Sequence, residues 1–321
     1  RYHDGKMVDD LTYKYYSSGL SNQILNITDA GIQSSLVDDY PGSSRDYVYD
    51  ANGNMTFDGA KNLGIEYHTT LNLPGELDFG SNNRIFYHYT AGGQKLMKHV
   101  YNGAEEARTD YTGSIVYEGG ALSHILTEEG RLVADGNGDD RRFIYEYSLK
   151  DHLGSSRVTF LANETAKYAE VVQTTDYYPF GLVMDQTNGS PDPDYKKNNY
   201  LYNNKEIQSD NMTGEAVNWY DYGARMYDPQ IGRWHVMDPL AESYRRWSPY
   251  NYGVDNPIRF IDPDGMRIND PNDYFNIDNG QKLGADRDKN NDDVRLISKK
   301  DWENSKKGNA ESAIEGSISL K

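Results

Sequence analysis

Asp238 and Asp262 are the two residues of this 321-residue chain whose type and setting best suit acid–base chemistry. Each opens an Asp-Pro pair, and the chain between them is rich in turn residues. A segment that folds back on itself there brings the two carboxylates together. Two carboxylates in contact cannot both ionise cheaply, so they share a proton. The charged member can act as general base on a water, and the protonated one can polarise a peptide carbonyl. A nearby arginine would orient the pair by a two-pronged contact. The competing reading is structural. Asp accepts a backbone hydrogen bond and Pro sets φ, so Asp-Pro pairs commonly begin turns. Asp228, in a third such pair, reads as a turn residue rather than a third acid.

Other candidates are weaker. Asp135-Gly136-Asn137-Gly138-Asp139 with Glu146 has some of the oxygen spacing of a calcium loop, but Asp140 stands where that loop needs Gly. A hairpin turn is the better reading. Asp286, Asp288, Asn290 and Asp292 form a similar run without a closing Glu and read as a solvated loop. The seven His are scattered, and His152 reads as a turn or core residue. No Ser-His-Asp order, phosphate loop or zinc motif is visible, so no cofactor and no metal are expected.

The elements that must hold Asp238 and Asp262 are strands. Tyr pairs at alternate positions mark them: Tyr13 and Tyr15, Tyr47 and Tyr49, Tyr87 and Tyr89. Alternation puts both rings of a pair on one face. Gly-containing turns follow, at Asp50-Ala51-Asn52-Gly53-Asn54 and Thr90-Ala91-Gly92-Gly93-Gln94. An apolar residue then returns, Met55 or Leu96. The unit over residues 1–120 is strand, Gly turn, strand, repeated degenerately. Helical periodicity is almost absent, apart from a short helix expected near 240–247 after Pro239.

Residues 220–266 form the most constrained stretch. They hold Trp234 and Trp247, border Trp219, and contain five of the eleven prolines. This composition predicts a plug, with Trp234 against an apolar wall and Arg233 on a carboxylate or an aromatic face. Residues 185–198 read as an exposed loop. Beyond Met266 the chain turns polar, with one hairpin expected around Asn279-Gly280 and a strand at Leu296-Ile297.

Composition narrows the function classes. Hydrophobic residues make up 36%, below the ~45–50% usual for globular domains, and there are 28 Tyr against 8 Phe. Tyr buries its ring while keeping its hydroxyl wet or bonded, which suits a thin-walled sheet. A net charge of -17 argues against a nucleic-acid-binding surface. There are no cysteines, hence no disulfides or thiolate metal sites. No apolar run reaches the ~18 residues of a membrane helix, and no signal peptide is visible. The chain begins at Arg1, which is expected of a fragment.

Several blocks together carry a family resemblance. Tyr47-Val48-Tyr49-Asp50-Ala51-Asn52-Gly53-Asn54-Met55 resembles a YD repeat of RHS proteins, and the Tyr87 to Leu96 run is similar with Thr90 in place of Asp. Asp151-His152-Leu153-Gly154-Ser155-Ser156-Arg157 resembles the D-H-L-G-x-x-R block that opens the RHS repeat-associated core. Tyr177-Tyr178-Pro179-Phe180-Gly181 and the Tyr200 to Glu206 run resemble later blocks. The resemblance covers about residues 1–266. It implies an all-β fold: a curved or spiralling antiparallel YD-repeat sheet, a partial β-cage, closed by an RHS core plug. The implied organisation is a repeat region at 1–144, a core at 145–266 and a variable C-terminal extension at 267–321.

The resemblance also assigns roles. In the C components of Tc toxins, an aspartyl-protease-like site cuts the chain just after the core. By match of motif the arginine is Arg225, the aspartates are Asp238 and Asp262, and the cut falls between Met266 and Arg267. Ala241 stands where the toxin form carries Gly.

Three functions follow as expectations. The first is the closing end of a secreted or cell-surface bacterial delivery shell, which releases its extension as cargo by cutting itself once. Its implied partners are that extension, other shell or secretion components and an immunity protein. The second is a non-enzymatic adhesion module whose Tyr and Trp bind carbohydrate or protein. The third is an active toxin in residues 267–321, which their sparse apolar content disfavours.

Overall fold

The computed structural model describes residues 1–3, 6–31, 40, 42, 45–135, 142–163, 168–184, 190, 195–212 and 215–266, together with four short strands in 273–319. Among these the architecture is all-β. Thirteen strands, from Val48–Tyr49 to Tyr168–Thr174, form one sheet in which every strand pairs with its neighbour in sequence. Each pairing is antiparallel, as short Gly turns require. The turn at 50–54 closes on Gly53 at φ +82°, and that at 90–94 on Gly93 at φ +83°. The strand Arg142–Lys150 lies well inside this sheet, so the sheet passes through residue 145 without a break.

The Tyr pairs behave as alternation predicts. On Asn83–Tyr89, residues Asn83, Ile85 and Tyr87 are buried and their neighbours are not. Tyr13 and Tyr15 both pack against the same core from the Leu11–Tyr15 strand, which pairs with Ile24–Asp29.

That core is shared. Ile24, Tyr47, Met55, Leu63, Leu77, Ile85 and Tyr87 from the wall meet Met212, Val217, Trp219, Met226 and Ile231 from the later chain. The later chain builds a four-stranded sheet in the order Glu206–Gln208, Trp219–Asp221, Met226–Asp228, Arg233–Trp234. A second cluster fills its other side with Tyr177, Tyr202, Tyr220, Tyr222, Tyr227, Trp234 and Tyr252.

The tyrosine rings of this cluster are buried, and their hydroxyls bond inward rather than to solvent. Tyr220 donates to the Gly181 carbonyl at 3.1 Å, Tyr227 to the Phe180 carbonyl at 2.7 Å, and Tyr252 to Asn203 Oδ1 at 2.6 Å. A buried hydroxyl needs such a partner, so the aromatic core is also a hydrogen-bonded one.

The short helix near 240–247 is a 3-10 turn, Ala241–Tyr244. Beyond Met266 the strands Asp273–Asn276, Lys282–Ala285, Arg295–Ile297 and Ile318–Ser319 form a small sheet. The first two make the expected hairpin, although its tip lies outside the described residues. The helices among the described residues are all short 3-10 turns, and none is long and apolar enough to cross a membrane.

Candidate functional site

Arg225 is the centre of the site. It precedes the Met226–Asp228 strand and is 2% exposed. Its guanidinium lies over the Trp234 ring, 4.1 Å from the centroid, which fixes its plane. Nη2 donates to Asp238 Oδ2 and to Asp262 Oδ2, each at 3.0 Å. The two acceptor oxygens are thus no further apart than twice that length. Nε donates to the Gly265 carbonyl, and Nη1 to the Pro249 carbonyl at 3.4 Å. Burial pulls the Arg225 pKa down, and the two carboxylates hold it up.

The two aspartates are held differently. Asp262 is 1% exposed and caps the turn that follows it. Its Oδ1 accepts from the amides of Gly265 at 2.8 Å and Met266 at 3.1 Å. This turn needs Gly265 at φ +79°, where a Cβ would lie 3.0 Å from the Arg225 amide nitrogen. Asp238 is the more open acid, with its side chain 17% exposed. Its Oδ1 accepts from the Leu240 amide at 2.7 Å, the turn that an Asp-Pro pair favours. Each aspartate thus starts a turn with one oxygen and meets Arg225 with the other.

Between them is a cavity of about 20 Å³, lined by Arg225, Asp238, Asp262, Trp247, Pro249 and Asn251 among others. That is room for about one water. The arrangement supplies two carboxylates with distinct settings, a cation that lowers the cost of their proximity, and a water-sized space beside them. Chemically it can move a proton between a water and a carboxylate. The Gly265 carbonyl and the Met266 amide, the two ends of one peptide bond, are both bonded to this cluster. Arg267 lies outside the described residues.

The remaining sequence candidates separate cleanly. Asp228 is a turn residue, accepting from the Gln230 amide at 2.8 Å, but its other oxygen is bonded to Lys61 Nζ at 2.8 Å and Trp219 Nε1 at 3.2 Å. Lys61 was invisible as a partner because 167 residues separate the two. Arg233 packs on aromatic faces as expected, 5.5 Å from the Tyr15 centroid and 5.7 Å from that of Tyr250. Glu146 forms a buried two-pronged pair with Arg131 at 2.7 and 3.0 Å, so it does not serve a loop at 135–140. The strands flanking that loop pair as a hairpin, Asp135 opposite Arg142, and residues 136–140 lie outside the described residues. Asp286, Asp288, Asn290 and Asp292 also lie outside them. His152 is a surface residue whose Nε2 lies 3.0 Å from the Ile258 carbonyl.

The fold and this cluster define a class: an antiparallel repeat wall carrying a compact, arginine-centred plug. No protein-family model matches the chain. Solved structures do. The crystal structure of the TcdB2-TccC3-Cdc42 complex superposes with a TM-score of 0.51 at 19% identity, over 80% of this chain and 13% of that one. A Tc holotoxin pore of Photorhabdus luminescens gives 0.51 at 20% identity over the same shares. Among curated proteins, Salivary gland surface protein 1 of Aedes aegypti is 36% identical over 122 residues, 38% of this chain and 3% of that protein. Toxin subunit YenC2 of Yersinia entomophaga is 32% identical over 109 residues, 34% of this chain and 10% of that protein. The chain therefore has the fold seen in these Tc-toxin structures, and about a third of it resembles a Tc toxin subunit in sequence. It spans 13% or less of the length of each of these relatives.

Proposed function

We propose that this chain is the closing end of a toxin-delivery shell, and that Arg225, Asp238 and Asp262 cut it once, in cis, near Met266. The observation that carries this is the single guanidinium nitrogen bonded to both carboxylates beside a water-sized cavity. In the reaction, the ionised carboxylate takes a proton from water, the hydroxide adds to the peptide carbonyl carbon, and the C–N bond breaks. The protonated carboxylate gives its proton to the leaving amine. Asp238, the more open acid, is the base, and Asp262 with Arg225 holds the segment to be cut. Residues 267–321 would leave as cargo from the core at 145–266, whose first strands continue the wall's sheet and whose remainder closes it. The partners are this extension, further shell or secretion components and an immunity protein, in a secreted or cell-surface setting. The likeness to Tc-toxin components supports that setting.

Asp238→Asn tests the chemistry. Asn keeps an oxygen for the Leu240 amide but cannot ionise. Wild-type chain expressed and weighed intact should give two fragments split near Met266, and Asp238→Asn one uncut mass. A wild-type chain that stays whole from acidic to neutral pH would sink the proposal.

A second reading, the adhesion module, has one observation in its favour. Tyr145, Tyr147 and Phe160 stack in a row with centroids 4.3 and 5.4 Å apart, near Phe143, Leu149 and Val171, which are all exposed. Rings on an open sheet suit sugar stacking, and a glycan array without hits would remove this reading.

A further inference from the structure

Asp58, Asp228 and His235 meet in the interior, at the join between wall and plug. Asp58 ends the wall strand Met55–Asp58, Asp228 ends the plug strand Met226–Asp228, and His235 follows the plug strand Arg233–Trp234. Their exposures are 0%, 1% and 1%. One ligand atom from each lies within 4.8 Å of the others. The His235 Nε2 to Asp228 Oδ2 distance is 3.8 Å. Nothing in the self-cleavage reading uses these residues.

Two features set this cluster apart from an ordinary buried salt bridge. His235 has no hydrogen-bond partner on either ring nitrogen among the described residues. Asp58 Oδ2 has none either, while its Oδ1 accepts from the amides of Ala60 at 2.8 Å and Lys61 at 3.0 Å. Buried polar atoms are nearly always paired, because an orphan forfeits its hydration without return. An unpaired imidazole facing two carboxylates is the donor set of a metal site. The ring cannot turn freely to find another partner. Trp219 lies against it, centroids 3.9 Å apart, and the His235 carbonyl is bound by the Met55 amide at 2.9 Å.

We propose that Asp58, Asp228 and His235 bind a divalent transition-metal ion, Zn²⁺ before others, which staples the repeat wall to the core plug. One imidazole nitrogen and two carboxylate oxygens are ligands that Zn²⁺ accepts. Donors around tetrahedral Zn²⁺ stand about 3.4 Å apart, so the His235–Asp228 pair at 3.8 Å is already near that spacing, and the rest of the set, within 4.8 Å, closes further on binding. Lys61 is the resident competitor. Its ammonium lies 2.8 Å from Asp228 Oδ2 and 3.9 Å from Asp58 Oδ2, and it also donates to Gln230 Oε1 at 2.6 Å. An arriving ion takes over the carboxylates, and the lysine turns toward Gln230. The sequence pattern gave no hint of this site because Asp58 lies on a wall strand far in sequence from the plug residues Asp228 and His235.

The test titrates the tag-free full chain with Zn²⁺ alone, by calorimetry and by thermal unfolding. The expected result is one ion per chain and a raised unfolding midpoint. His235→Phe, which keeps a ring against Trp219, should lose both effects. Lys61→Met, which removes the competing charge, should bind about tenfold more tightly or better. Wild-type chain that binds no Zn²⁺, or His235→Phe that binds it equally well, overturns the proposal. So does Lys61→Met with unchanged affinity. Should His235→Phe fail to fold, Co²⁺ replaces it as the probe of the wild-type chain. The visible spectrum of a four-coordinate ion supports the site, and that of the hydrated ion overturns it.

Discussion

Arg225→Lys is the substitution that most directly tests how the plug is held. In the wild type one buried guanidinium bonds Asp238, Asp262 and the carbonyls of Gly265 and Pro249, and stacks on Trp234. A lysine ammonium keeps the charge but not the planar fork, so it cannot reach both carboxylates and both carbonyls or lie flat on the indole. Asp262, at 1% exposure, is then left with a weaker partner. Breaking a buried pair costs about 3–5 kcal/mol, and part of the charge contact survives in Lys, so a loss of roughly 2–4 kcal/mol is expected. Against a total of about 5–15 kcal/mol this is a large fraction. The assay is urea unfolding followed by tryptophan fluorescence, because Trp234 reports directly on this site. The midpoint should fall with the slope unchanged. Arg225→Lys with a wild-type midpoint would refute the view that the fork, rather than the charge, organises the cluster.

Acid should loosen the seam between wall and plug. Burial alone would raise the Glu206 pKa, but Lys95 and Lys98 overcome it and bring it down to about 2. A carboxylate depressed in the folded state stabilises above its unfolded pKa near 4.5, and that contribution, about 3 kcal/mol, is lost as pH falls toward 2. Glu206→Gln should flatten this part of the stability–pH curve, which denaturation series at several pH values will read. His124 acts in the same direction, since burial lowers its pKa to about 4 and protonation below its ordinary value favours unfolding. Gly181→Ala should cost more than 2 kcal/mol, because φ is +87° there and a Cβ would lie 2.5 Å from the Tyr202 ring. Its thermal midpoint is the readout, and an unchanged value would mean that the aromatic cluster is looser than its contacts indicate.

Much of the wall was legible in the chain itself. Period-two Tyr pairs and Gly turns are local signals, since strand alternation and positive φ depend only on nearby residues. They correctly predicted strands at 11–15, 48–49 and 83–89 and the turns after the latter two. The tail hairpin and the strand at Arg295–Ile297 were legible for the same reason. Residues 240–247 were read as helix from Pro239, which suits a first helical turn. They make only one 3-10 turn, because Asp238 spends its oxygen on Leu240 and no helical stripe follows.

The sequence by itself determined the turn-forming half of the site: Asp238 and Asp262 each bond the backbone just beyond them, as any Asp-Pro pair can. Only the tertiary structure decided that their second oxygens share one nitrogen of Arg225, since 13 and 37 residues separate them from it. The same holds for Lys61 with Asp228, for Lys95 with Glu206 and Asp221, and for the inward hydroxyls of the buried tyrosines. Side-chain pairs between distant strands depend on register and burial. Those follow from how the wall closes on the plug, and no local pattern encodes that.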